Sequence, residues 1–145
     1  MSGAAGSADE LRDGYWQAIQ YRQRAVDDWR KNGLDAVICP SLAHPACSNE
    51  FPDKVPIGGT YTFLYNVLEF VAGVVPVSHV TKSDIDDVAD CPCNDIWDRQ
   101  TRDEFANSYD RVGLPVAVQV VTLPNQEELC LRVMKEVETL VKRNK

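Results

Sequence analysis

The chain has 145 residues, of which 44% are hydrophobic and 26% charged, and its 22 acidic and 15 basic side chains give a formal net charge of −7. This length and composition fit one globular domain and exclude a multidomain assembly. The negative charge disfavours binding to nucleic acid, and the longest uncharged stretches, such as 36–49 and 113–126, are too short and too proline-broken to span a bilayer.

The N-terminus is made of small and polar residues, which predicts a flexible leader over residues 1–8 and one domain over residues 9–145. The leader lacks the basic start and apolar run of a secretory signal, so we expect an intracellular, cytoplasmic chain. Five cysteines are an odd number, scattered through an ordinary composition, and we expect all of them to be reduced. They are Cys39, Cys47, Cys91, Cys93 and Cys130.

The first predicted element is an amphipathic helix. Ser7 and Glu10 have the spacing of a capping box, in which each side chain satisfies a backbone amide at a helix start. Apolar residues then recur at helical spacing from Leu11 to Trp29. Gly33 can adopt the left-handed conformation that closes a helix, so the helix is predicted to end there.

A short β-favouring run over residues 34–39 predicts a buried parallel strand. The proline-rich stretch 40–56 predicts a loop, and the apolar segment 61–70 predicts a well-buried helix. The preceding Gly58 and Gly59 could present amides to an anion, but they lack the phosphate-loop pattern. We therefore expect Thr60 to act as the N-cap of the helix.

Two β-branched runs, 74–80 and 114–123, predict strands whose prolines lie near ends or edges. Asn125, with Glu128 three residues later, has the spacing of an N-cap. The apolar stripe that follows continues at four-residue spacing to Val141, which predicts a C-terminal helix.

The excess negative charge is concentrated between the two predicted strands. Residues 82–110 contain nine acidic and three basic side chains, so six of the seven excess charges lie there. The segment has no long apolar period. We expect a solvated excursion between two apolar blocks.

No complete catalytic or metal-binding motif is present. His44 and His79 are the only histidines, and no serine stands in Gly-x-Ser-x-Gly or Ser-x-x-Lys, so both histidines are interpreted as loop and strand-end residues. Cys91 and Cys93 are too close together for a zinc clip and have no second pair. The aspartates from Asp84 onwards lack the glycine of a calcium loop. We expect no metal and no cofactor.

Three strings nevertheless resemble the C-terminal part of the amidase signature family, most closely its fatty-acid amide hydrolases. The sequence Asp-Ile-Trp-Asp and a string in the last helix extend the similarity in the same order. The matching segments are 34–40, 61–77, 113–121, 95–98 and 126–132.

The resemblance implies an α/β fold, namely the C-terminal portion of a mixed-sheet amidase-signature fold with helices flanking about three strands. Residues 9–145 would then form a partial amidase domain. The family hydrolyses carboxamides with a serine nucleophile activated by a second serine and a lysine. That glycine- and serine-rich region has no counterpart here, so we expect this chain to be inactive alone.

The resemblance also implies a substrate-binding role for four residues. Gly59, Thr60, Phe63 and Trp97 match the apolar wall of the channel that holds the acyl chain of a fatty-acyl amide substrate. Gly59 departs from the branched residue common in relatives, which leaves the channel width open. The residues alone allow another interpretation, in which Phe63 and Trp97 are core aromatics.

Two functional hypotheses follow. In the first, the chain is the C-terminal portion of a fatty-acid-amide-hydrolase-like serine hydrolase; membrane association of the intact family member stays open. In the second, it is a non-enzymatic lipid-binding or partner-binding module derived from an amidase. Strands cut from a larger sheet leave unpaired edges and apolar faces, which a homodimer could cover.

Overall fold

The computed structural model describes residues 6–143, the side chain of Ile57 excepted, so residues 1–5 of the predicted leader lie outside the described residues. Six helices and three strands lie within this range, with 3₁₀ turns at Pro56–Gly59 and Tyr109–Arg111. In chain order they are α1 (Ala8–Lys31), β1 (Val37–Pro40), α2 (Phe51–Lys54), α3 (Thr60–Leu68), β2 (Val71–His79), α4 (Lys82–Asp90), α5 (Ile96–Phe105), β3 (Pro115–Thr122) and α6 (Glu127–Arg143).

Helix α1 is closed at both ends by local contacts. The Ser7 hydroxyl accepts the Glu10 N–H at 3.2 Å, as predicted. The Glu10 carboxylate accepts the N–H of Gly6 at 2.7 Å instead of that of Ser7, so the capping box is only half formed. Gly33 has a φ of 63°, which confirms its predicted role in ending the helix.

The three strands form one sheet in the order β1-β3-β2, and both pairings are antiparallel. The expected parallel strand at residues 34–39 is therefore wrong, since β1 runs antiparallel to β3 with Val37 opposite Val121. A short apolar run indicates burial, but it carries no information about the direction of its partner. Pro76 lies in the edge strand β2, where the register shifts before Ser78 and where a missing backbone donor is tolerated.

Helices cover both faces of the sheet. On one face, α1 and α3 pack against β3 in a cluster formed by Trp29, Leu68, Phe70, Val121 and Leu123. On the other face, buried Cys130 of α6 donates to the carbonyl of Val120 at 3.4 Å. Gly73 lets Met134 approach the strand closely, because any Cβ there would collide with the thioether. Successive side chains of a strand alternate between the two faces of a sheet, so β3 contributes to the packing on both faces.

The segment 82–110 is largely exposed, as its charge suggested, but it is helical and not an excursion without secondary structure. Most of it forms α4 and α5, which bury Ile85 and Phe105. Phe105 packs with Phe51 and Val55 in a second apolar cluster. Each helix contributes one deeply buried residue, so the sequence shows no apolar stripe.

The predicted loop over residues 40–56 also contains a short helix, α2, which places Phe51 in this second cluster. The start signals of α4 and α5 are local. Thr81 and Asp84 form a complete capping box, and Asp95 accepts the Asp98 N–H at 2.8 Å.

Two predicted N-caps are wrong. Gly59 precedes α3 and occupies its N-cap position, so Thr60 is the first helical residue. Asn125 has a left-handed φ of 62° and lies two residues before the first residue of α6, whereas an N-cap is extended and directly precedes the helix.

The cysteine prediction is confirmed, because all five thiols are free. Across residues 6–143, no helix has both the length and the apolar character that crossing a membrane requires.

Candidate functional site

The four residues that the resemblance assigns to a channel wall lie on two helices. Gly59 caps α3, Thr60 begins it, and Phe63 lies in its first turn. Trp97 is the second residue of α5. Phe63 is 59% exposed and Trp97 is 37% exposed, so neither aromatic ring is buried in the two apolar clusters.

Gly59 and Phe63 are in direct contact. A Cβ placed on Gly59 would lie 2.9 Å from Cζ of Phe63, closer than real Cβ atoms come to other heavy atoms. The ring therefore occupies the space that a side chain at residue 59 would fill.

Trp97 lines a cleft of about 450 Å³ between α5 and the loops before α3. Asp98 and Thr101 share its wall on α5, and His44 and Gly58 form the opposite wall. Phe63 does not line this cleft. The structure thus brings Trp97 together with the turn before α3, and it leaves Phe63 on the exposed side of that helix.

His44 lies at the centre of this region. Its Nδ1 is 2.8 Å from the carbonyl oxygen of Pro45, and because a carbonyl only accepts, Nδ1 carries the proton. The imidazole packs edge-on against Phe51 at 5.0 Å and tilted against Phe105 at 5.5 Å, measured between ring centroids. A Cβ on Gly58 would lie 2.7 Å from Nε2, so the absence of a side chain at residue 58 makes room for the ring.

A buried ion pair ties the loop that carries His44 to α5. Nη2 of Arg111 lies 2.6 Å from Oε1 of Glu104, and the two side chains are only 14% and 12% exposed. Glu104 also accepts the Ser48 N–H at 2.8 Å, while Nη1 of Arg111 donates to the carbonyl of Ala46 at 2.7 Å. Burial raises the pKa of Glu104, but the donors from Ser48 and Arg111 outweigh it and lower the pKa below its ordinary value.

A second cleft, of about 410 Å³, lies on the other side of His44 and contains the second histidine. His79 and Asp84 line it together with apolar residues such as Ile85 and Phe105. Two hydrogen bonds from Thr81 occupy Asp84 and lower its pKa. Within residues 6–143 no hydrogen bond joins a serine to a histidine, so the geometry here is not that of a serine–histidine pair.

Gln119 fixes the start of α3 relative to the sheet. Its buried side-chain amide donates to the carbonyls of Pro40 at 3.1 Å and Tyr61 at 2.9 Å. One turn further along α3, burial and the nearby Cys39 thiol raise the pKa of Tyr65 to about 12. These contacts hold the helix that carries Phe63.

Sequence reasoning missed three of these groups: His44, the Glu104–Arg111 pair and Gln119. Each acts through partners that are distant in the chain. Glu104 and Ser48, for example, are 56 residues apart. No spacing rule indicates such a contact, and a glutamine in a β-branched run is the sole local sign that Gln119 is unusual.

The sequence model of the amidase family matches residues 2–131. The chain belongs to the amidase family. It is 41% identical over 133 residues to fatty acid amide hydrolase 1 of Caenorhabditis elegans and 44% identical over 137 residues to fatty-acid amide hydrolase 1 of Sus scrofa. It is 30% identical over 141 residues to an acetamidase of Aspergillus oryzae. These matches cover 91%, 93% and 92% of this chain.

The same matches cover 23%, 23% and 25% of the relatives, so the chain spans about a quarter of the length of the curated amidases it resembles. A solved structure of a fatty acid amide hydrolase superposes with a TM-score of 0.70 at 19% identity, over 93% of this chain and 24% of that chain. The predicted amidase resemblance is confirmed. So is the α/β fold with helices flanking three strands, all of which are antiparallel here.

Proposed function

We propose that this chain is the C-terminal portion of a fatty-acid-amide-hydrolase-like amidase, that the intact enzyme hydrolyses long-chain fatty-acid amides, and that this chain by itself is cytoplasmic. The cleft between Trp97 and Gly58 is the observation that carries this proposal. Its volume falls in the ordinary range of ligand clefts, and an aromatic ring forms part of its wall. The two relatives with the higher identities are named fatty acid amide hydrolases.

The contribution of this chain is to bind the acyl chain. Each methylene that leaves water contributes about 0.8 kcal/mol, so an exposed aromatic wall favours a long alkyl substituent. In this proposal Trp97 forms the wall inside the cleft, and Gly59, Thr60 and Phe63 extend the wall outside it, along the first turn of α3 after Gly58. Bond cleavage requires the serine pair and lysine of the family, which have no counterpart among these residues, and the chain alone is inactive.

Titration of the purified chain with a fluorescent long-chain fatty-acid amide tests the wall. W97A removes an aromatic group from the cleft and is expected to weaken binding about tenfold, which corresponds to about 1.4 kcal/mol. Trp16 is an exposed tryptophan on α1 that does not line the cleft, so W16A is the matched control. Equal binding by W97A and the unmodified chain, with weakened binding by W16A, would place the ligand elsewhere.

The expected lack of hydrolase activity in this chain is tested separately. A serine-directed fluorophosphonate probe is expected to leave the chain unlabelled, and incubation with a long-chain amide is expected to release no product. Labelling or turnover that disappears on substitution of one serine would show a nucleophile in this chain and contradict the proposal.

The second candidate function is a non-enzymatic module that binds a lipid or a protein partner. Several large apolar side chains exposed on α1 and α3 favour it, because large exposed apolar surfaces mark interaction sites. In this candidate function the protein partner is a second copy of the chain, so that the chain forms a homodimer. Reversible self-association in sedimentation together with a cooperative thermal transition would support an independent module; an aggregating chain without either would contradict it.

A further inference from the structure

His44 lies between two clefts. The cleft beside Trp97, here called the Trp97 cleft, has a volume of about 450 Å³, and the cleft beside His79, here called the His79 cleft, has a volume of about 410 Å³. The lining residues that the two clefts share are Ala43, His44, Val88 and Thr101. The clefts are therefore neighbours, and the side chain of His44 is part of the partition between them.

The imidazole of His44 is held in place from several sides. Nδ1 donates to the carbonyl oxygen of Pro45 at 2.8 Å, and the ring packs edge-on against Phe51 and tilted against Phe105. Nε2 lies beside Gly58, where a Cβ would collide with it. A rotation of the ring would break the hydrogen bond and both ring contacts together. The imidazole is thus a fixed divider between the clefts.

The His79 cleft is an apolar continuation of the space beside Trp97. The buried residues Ile85 and Phe105 line it, and Val116 adds an apolar side chain from β3. The carboxylate in its wall, Asp84, already accepts two hydrogen bonds from the N-cap residue of α4. Since an alkyl chain binds more tightly with each methylene that leaves water, this space suits the end of a longer chain.

We propose that His44 determines the length of the acyl chain that this protein binds. The inference rests on the acyl-binding function proposed above and adds a specificity-determining residue to it. In the unmodified chain, the alkyl part of a fatty-acid amide lies beside Trp97 and ends at the imidazole of His44. A small side chain at position 44 opens the partition, so a longer alkyl part reaches Val116 in the His79 cleft.

Displacement of the fluorescent long-chain amide by unbranched fatty-acid amides of increasing length tests this role. Affinity should rise about fourfold with each methylene that leaves water, up to the length at which the chain meets His44. Beyond this length, here called the break point, affinity should level off. H44A is expected to move the break point to longer chains and to strengthen binding of the amides beyond the original one at least tenfold.

Three further variants separate the size of the side chain from other effects. H44F keeps an aromatic ring in the partition and is the matched control, with the original break point expected. H44V shortens the side chain but keeps apolar contact with Phe51, so it should move the break point in the same direction as H44A even if H44A folds poorly. V116W, added to H44A, refills the His79 cleft and should restore the original break point. Circular dichroism and thermal melting verify the fold of each variant.

The outcomes distinguish this role from the function on which it rests. An unchanged break point in H44A and H44V, with binding that W97A still weakens, overturns the role of His44 and leaves acyl binding standing. A break point that moves equally in H44F, or that V116W does not restore, also overturns it. An unmodified chain that binds no amide of any length overturns both the role of His44 and the proposed acyl binding.

Discussion

The ring of Phe63 lies over Gly59, one helical turn earlier, in the space that a side chain at residue 59 would occupy. Gly59 and Phe63 are therefore coupled, because the aromatic ring fits in its present position only when residue 59 has no side chain. Whichever residue stands at position 59 decides where the ring at position 63 can lie, and so decides the shape of the proposed acyl wall.

G59A is expected to force the Phe63 ring out of its present rotamer at a cost of about 1 kcal/mol. In an F63A background this part of the penalty disappears, because the alanine side chain leaves the space empty. Urea unfolding of the four proteins measures the difference as a coupling energy of about 1 kcal/mol. Additive effects of the two substitutions would show that the ring does not depend on the glycine.

The Glu104–Arg111 pair is expected to be a main support of the loop that carries His44. E104Q leaves the Arg111 charge almost buried without its counter-ion, which should reduce the free energy of unfolding by about 3 kcal/mol. E138Q breaks the exposed pair with Lys142 and serves as the control, with no measurable change expected. Equal effects of the two substitutions would contradict a structural role for the buried pair.

The same pair should make stability depend on pH in the acid range. The pKa of Glu104 is lower in the folded chain than its ordinary value of 4.5, so its stabilising contribution is fully present above that value. The contribution is lost as the pH falls through the folded-state pKa. Urea midpoints measured from neutral pH into this range should fall more steeply for the unmodified chain than for E104Q. Parallel curves would assign the acid sensitivity to other carboxylates.

Gln119 is expected to hold α3 against the sheet. Q119L keeps the approximate volume but removes the donor shared by the carbonyls of Pro40 and Tyr61, which should cost about 2 kcal/mol of unfolding free energy. Q17L, on the exposed surface of α1, is the control and should have little effect. A stable Q119L chain with unchanged acyl binding would show that α3 is positioned by its apolar contacts alone.

Much of the architecture could be predicted because its signals are local. The apolar period from Leu11 to Trp29, closed by Gly33, predicts α1 correctly, and the β-branched runs predict β2 and β3. The segments 61–77 and 113–121 carry the amidase resemblance most specifically, and the family match over residues 2–131 confirms it. Residue type and short-range spacing carry all of this information.

Tertiary structure decided the features that depend on partners distant in the chain. The antiparallel direction of β1 depends on its pairing with β3, some 80 residues later. Helices α4 and α5 are stabilised by burying Ile85 and Phe105. Burial of a single residue per helix leaves no period in the sequence, and a hydrogen bond or ion pair between distant residues leaves no spacing. The amidase relationship is thus determined by the sequence, whereas the cleft beside His44 exists only because folding brings α5 against the turn before α3.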